Sequence, residues 1–109
     1  MADLEGIQVG EFGKTIWLYC KNKGVLQNIS GYDTGNDEVR VKFWSPKPVR
    51  EMEIIAGYTS TGSGADGIVE FAFSSDNTVD RSGLWQGQVY LEKTGYLIKS
   101  DRFTMEVGA

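Results

Sequence analysis

The stretch from Asp80 to Lys93, DRSGLWQGQVYLEK, constrains the fold more than any other. A turn over Asp80-Arg81-Ser82-Gly83 feeds a run in which Trp85, Val89 and Leu91 share one parity while Gln86, Gln88, Tyr90 and Glu92 share the other. Period-two alternation of this kind marks a half-buried strand. It predicts a central strand with Trp85 as core anchor and with Gly87 leaving space opposite it.

The same alternation recurs along the chain. Leu4 to Val9 reads as a weak edge strand, and Lys14 to Asn22 as a strong one with Ile16, Leu18 and Cys20 inward and Trp17 and Tyr19 outward. Val25 to Ile29 forms a further short strand. Glu38 to Ser45 carries the cleanest pattern, with Val39, Val41 and Phe43 on one face and Arg40, Lys42 and Trp44 on the other. Pro46 and Pro48 end it, because neither can donate to a ladder.

Arg50 to Tyr58 alternates and then loses phase at Ile55, which predicts a strand that crosses between sheets. Gly67 to Ser74 places Val69, Phe71 and Phe73 inward. Thr94-Gly95 is a two-residue hairpin signal. Beyond it the phases of Ile98 and Phe103 disagree, so Ser100-Asp101 should hold a bulge or break. About seven strands at spacings near 8 to 12 residues predict an all-β chain, an antiparallel sandwich or small barrel. At 109 residues it is read as one domain spanning 1–109.

Composition narrows function mainly by exclusion. There is no histidine, which removes imidazole triads and imidazole-bound zinc. Cys20 is the single cysteine, so no internal disulfide can form, and its inward parity reads as a small core hydrophobe. Gly64 lacks the following lysine of a phosphate-binding loop. The acidic pairs Glu51/Glu53 and Asp37/Glu38 read as solvated strand faces rather than a glycosidase pair. Asp33, Asn36, Asp37 and Glu38, and likewise Asp76, Asn77 and Asp80, read as turn residues rather than calcium ligands. The expectation is a chain without enzymatic activity, metal or other cofactor.

Net charge is −4 and the basic residues are dispersed, which argues against nucleic acid as a partner. The opening MADLEGIQVG does not pattern as a signal peptide, and no apolar run reaches membrane length, so a reducing cytoplasm is expected and no membrane partner. The outward aromatics carry the sharper reading. Trp17, Tyr19, Trp44 and Tyr90, with Arg40 and Lys42 beside Trp44, have the composition of a protein interface, and sugars also stack on such rings. On this parity Trp44→Ala should leave stability nearly unchanged.

Asp80, Gly83 and Trp85 look like the corner that opens a late strand of immunoglobulin-like domains, with Trp replacing the usual Tyr. Val89 and Leu91 stand on that strand where a cysteine would be expected. More specifically, the chain resembles the N-terminal immunoglobulin-like domain of phage baseplate upper proteins and related small virion structural proteins. The resembling residues are Gly10-Glu11-Phe12-Gly13-Lys14-Thr15-Ile16, Ile29-Ser30-Gly31-Tyr32, Gly67-Ile68-Val69-Glu70-Phe71, Gly83-Leu84-Trp85 and Ser100-Asp101-Arg102-Phe103-Thr104-Met105-Glu106-Val107. The resemblance implies an immunoglobulin-like antiparallel β-sandwich with Greek-key connections, and a structural subunit of a virion assembled in the host cytoplasm. Its partners would be other virion proteins, in a homo-oligomer or on a lattice, in a baseplate, tail or capsid-decoration position. The alternative is an adhesion module that binds carbohydrate through its exposed tryptophans.

Overall fold

A computed structural model describes residues 4–32, 38–58, 67–73 and 79–109. The loop readings at Asp33, Asn36, Asp37, Gly64, Asp76 and Asn77 fall outside the described residues. Among the described ones the chain is all-β, with eleven strands: β1 (Leu4–Gln8), β2 (Ile16–Tyr19), β3 (Lys21–Asn22), β4 (Val25–Leu26), β5 (Val39–Trp44), β6 (Glu51–Ile55), β7 (Gly57–Tyr58), β8 (Ile68–Phe71), β9 (Gly83–Lys93), β10 (Tyr96–Lys99) and β11 (Phe103–Gly108). Two stretches predicted as single strands, Lys14 to Asn22 and Arg50 to Tyr58, are each divided in two, and the count exceeds the expected seven.

β9 is the axis of a six-stranded sheet ordered β1-β11-β9-β5-β6, with β10 also paired to β9. β5 runs along one edge of β9 from Val39↔Leu91 to Trp44↔Gln86. The opposite edge is shared, by β11 over Gly83 to Gly87 and by β10 over Tyr90 to Lys93. The expected break lies between them. From Lys99↔Tyr90 to Phe103↔Gly87 the register slips by one residue, as a bulge requires. Ser100 closes the gap: its N–H donates to the Val89 carbonyl at 2.9 Å and its Oγ accepts from the Val89 N–H at 2.9 Å. The local backbone groups are thereby satisfied where the ladder is interrupted.

The remaining pairings in this sheet are antiparallel, but β1 lies parallel to β11, from Leu4↔Met105 to Gln8↔Gly108. The purely antiparallel expectation is corrected at this edge. The expected strand over Lys14 to Asn22 is also divided. β2 pairs with β8 in a three-stranded sheet β2-β8-β7, and after Cys20 the chain turns into a separate β3-β4 hairpin. The crossing predicted for Arg50 to Tyr58 is present. β6 belongs to the large sheet, β7 to the small one, and the buried Ala56 between them donates its N–H to the Val39 carbonyl.

The core lies where the inward parities of the two sheets meet. Val39, Val41, Phe43, Val69, Trp85, Val89 and Met105 are fully buried, and Leu18, Cys20, Phe71 and Phe73 are nearly so. Phe43 of the large sheet contacts Phe71 and Phe73 with ring centroids 5.6 and 5.5 Å apart. Tilted pairs at such distances match the preferred aromatic geometry. Cys20 sits in this core, and burial is the main cause that pushes its thiol up to about 11. The thiol should resist alkylation at mildly alkaline pH in the folded protein and react once concentrated guanidinium unfolds it. Equal labelling rates in both states would contradict its burial.

Candidate functional site

The six candidate interface residues separate into two groups on different sheets. Arg40, Lys42 and Trp44 alternate on the outer side of β5, and Tyr90 stands across from Arg40 on β9. These four do come together, but their polar and aromatic surfaces are largely taken up within the chain. Arg40 Nη1 lies 2.9 Å from Glu53 Oε1, and its Nη2 pairs with Glu92. Lys42 Nζ is 3.4 Å from Glu51 Oε2 and 5.6 Å from the ring centres of both Trp44 and Tyr90.

Trp44 is half-buried. Its Nε1 donates to Glu51 Oε1 at 2.8 Å, and the Arg102 guanidinium lies over its ring at 4.2 Å. Donation from Trp44, followed by the charge of Lys42, holds the Glu51 carboxyl below its ordinary range. Tyr90 has the outward parity expected of it, yet it is only 9% exposed, covered by Lys42 and by Lys99 at 5.1 Å. The expectation for Trp44→Ala therefore changes. Loss of the indole hydrogen bond and of the Arg102 and Lys42 stacking should cost about 1 kcal/mol, measurable in urea melts of the isolated protein. An unchanged midpoint would mean that these contacts contribute nothing in solution.

Trp17 and Tyr19 are different. They lie on β2, the outer strand of the small sheet, and are 59% and 60% exposed. Successive outward positions on a strand put their rings on one face. Trp17 Nε1 donates to Glu70 Oε2 at 3.0 Å across the β2–β8 ladder, which fixes the indole without covering it. Lys21 Nζ stands 5.9 Å from the Tyr19 ring.

Beside β2 is an open groove of about 350 Å³ lined by Leu4, Trp17, Leu18, Tyr19, Lys21, Asp101, Arg102 and Phe103. Leu4 and Phe103 belong to the large sheet, so the groove lies between the margins of the two sheets. Asp101 is committed to structure: its two carboxylate oxygens accept the N–H groups of Lys23 and Gly24 at 2.8 Å each. This holds the β3–β4 turn, where Lys23 adopts a φ of 54°. Those two donors, Gly24 first, keep the Asp101 carboxyl below its usual range.

Because that pKa is depressed on folding, the contribution is present above the ordinary carboxylate pKa and is lost as pH falls through the depressed one. Asp101→Asn should lower the melting temperature at neutral pH and flatten its fall in acid. A parallel offset at every pH would show that the charge is not involved.

The sequence did not mark Leu4, Glu70, Asp101, Arg102 or Phe103 as part of a site. Asp101 stood at the predicted break, but nothing in its neighbourhood along the chain indicates that it reaches Lys23 and Gly24. Glu51 and Glu53 are engaged by Trp44, Lys42 and Arg40, and Asp80 by Arg81 and Arg50. Among the described residues no cluster of acidic or cysteine side chains is placed to hold a metal ion, and no helix is long and apolar enough to cross a membrane. No protein-family model matches the chain, and no curated protein matches it significantly.

Proposed function

We propose that this chain is an immunoglobulin-like β-sandwich that serves, without enzymatic activity, as a structural subunit of a phage virion. It would hold a neighbouring virion protein, or a further copy of itself in a lattice, through the side bearing Trp17 and Tyr19. The observation that carries the binding role is the pair of rings, more than half exposed, beside a groove between the sheets. Large aromatics left in water beside a recess are the usual composition of interface anchors. A repeated lattice makes such a modest contact effective through multivalency.

The immunoglobulin-like reading is supported by strand order and by the corner before β9. The small sheet runs β2-β8-β7, and the large one, apart from β1 at its edge and β10 beside β9, runs β11-β9-β5-β6, which parallels the B-E-D and G-F-C-C′ orders of variable-type domains. Trp85 Nε1 donates to the Arg81 carbonyl four residues upstream at 3.1 Å. A corner tyrosine in such domains bonds its own backbone in the same way. Counted from Trp85 as the corner residue, the cysteine position of those domains falls two residues later, on Gly87, and not on Val89 or Leu91 as expected from the sequence. The virion assignment rests on the sequence resemblance alone.

Quantitative proteomics of purified particles tests the proposal, with stoichiometric copy number expected. Trp17→Ala should release the protein from particles while leaving its melting temperature nearly unchanged. Absence from particles would overturn the virion role.

A second reading, carbohydrate binding, is favoured by one feature. Trp17 and Tyr19 form a two-ring platform on one strand face, the arrangement on which sugars stack. Trp44 offers less of its ring for that role, since it is half-buried and the Arg102 guanidinium lies over it. Saturable quenching of tryptophan fluorescence by a polysaccharide, abolished in Trp17→Ala, would establish it over the structural reading.

A further inference from the structure

We propose that the free edge of β2 takes up an extended segment of the neighbouring protein as an added β-strand. The segment would be apolar at alternate positions and carry a carboxylate. This rests on the reading that the Trp17 side of the fold holds a neighbour, and it specifies how.

The hydrogen-bond phase of the small sheet is fixed by one contact. The Cys20 N–H donates to the Gly67 carbonyl at 2.7 Å, in line with the register Tyr19↔Ile68 and Leu18↔Val69. Bonded and non-bonded pairs alternate along an antiparallel ladder. Leu18–Val69 and Ile16–Phe71 are therefore bonded pairs, whereas Trp17 and Tyr19 direct their N–H and C=O groups away from β8. The close approach of the Trp17 and Glu70 side chains agrees, since non-bonded pairs bring side chains nearer.

β2 is the last strand of its sheet, and among the described residues no hydrogen bond reaches those backbone groups. Two donors and two acceptors thus stand at a two-residue spacing along the groove. Only another extended backbone matches all four.

The surroundings specify the added strand further. Its side chains would point alternately into the groove, toward Leu4 and Phe103, and outward beside Trp17 and Tyr19. Lys21 and Arg102 stand at the groove, and among the described residues neither has a carboxylate within ion-pair distance. The one acid there, Asp101, is occupied by the amides of Lys23 and Gly24. Arg102 is already engaged by Gln86 Oε1 at 2.9 Å and by the Trp44 ring, so a carboxylate on the incoming segment would meet Lys21 first, a cation with no ion pair among the described residues.

The test uses a capped Thr-Val-Asp-Val-Thr peptide and two isomers of it, each N-methylated on one parity of its amides. The unmethylated peptide is expected to bind and to slow amide exchange at Trp17 and Tyr19 by about tenfold or more. One methylated isomer should bind as the parent does and the other should fail, because only one parity faces β2. Tyr19→Pro should weaken binding more than tenfold while keeping the fold, since the removed N–H does not serve the β2–β8 ladder. Tyr19→Val also removes the ring but keeps that N–H, so it should bind severalfold or more tighter than Tyr19→Pro, since the backbone ladder stays intact.

Absence of binding, equal binding of both isomers, or binding without protection of those two amides would overturn the proposal. Should Tyr19→Pro fail to fold, the methylated isomers still decide it. A chain found in particles but inert to the peptide would retain the structural role and lose the strand-addition mechanism. Peptide binding by a chain absent from particles would do the reverse.

Discussion

Trp85→Ala is expected to lower the unfolding free energy by about 3–5 kcal/mol, the range for truncating a large core aromatic. Trp85 is fully buried at the start of β9 and lies opposite the equally buried Met105 on β11. Its indole N–H also holds the turn through the Arg81 carbonyl. The Arg81 side chain in turn donates to the carbonyls of Pro46 and Pro48, beyond the end of β5. One side chain therefore joins the core to the segment that orients two neighbouring strands.

A chain of this size has only about 5–15 kcal/mol of stability in total, so the variant should be largely unfolded at moderate temperature if the parent lies low in that range. The measurement is the urea midpoint at unchanged slope, which separates a stability change from a change in the unfolded state. Trp85→Phe separates the two contributions. It keeps a buried ring and loses the N–H, so it should fall well short of the alanine loss. A loss below about 1 kcal/mol for Trp85→Ala would mean that Trp85 is not the anchor of β9.

Much of this is legible in the sequence. The alternation in Val39 to Trp44 and in Trp85 to Leu91 identifies the inward residues of β5 and β9, because a pleated strand sends successive side chains to opposite faces. Loss of phase at Ile55 correctly marks the passage between sheets. The disagreement between Ile98 and Phe103 correctly marks the bulge that Ser100 closes.

What remained hidden depends on partners distant in sequence. Parity shows that Tyr90 faces outward from the sheet, but not that Lys42 and Lys99 cover it. It places Trp17 and Trp44 alike on outer faces, although only Trp17 is left exposed. Arg102, which lies over Trp44, stands just before β11, 58 positions later in the chain. The division of Lys14 to Asn22 into β2 and β3 was equally hidden, since each half alternates correctly and only the exchange of pairing partner at Cys20 separates them.

Gly87 provides the second large effect, and its sign distinguishes two accounts of the same position. A glycine inside a strand ordinarily costs stability, so Gly87→Ala considered by backbone alone should stabilise by about 0.4–1 kcal/mol. Gly87 has no positive φ to protect. The space above it, however, is filled. A Cβ there would lie 2.4 Å from Phe103 Cζ and 2.6 Å from Cε2, far inside van der Waals contact.

Phe103 cannot move without loss, because its ring stands edge-on to Phe43, 5.7 Å away and nearly perpendicular. Gly87→Ala should therefore destabilise by about 1–3 kcal/mol, as overpacking does. Phe103→Leu removes the obstructing ring atoms, so the double variant should lose less than the sum of the single losses, by about 0.5–3 kcal/mol in a double-mutant cycle. A stabilised Gly87→Ala would show that Phe103 yields freely toward the groove. In that case the groove floor beside Trp17 and Tyr19 is pliable, and a strand added there would have to order Phe103 as it binds.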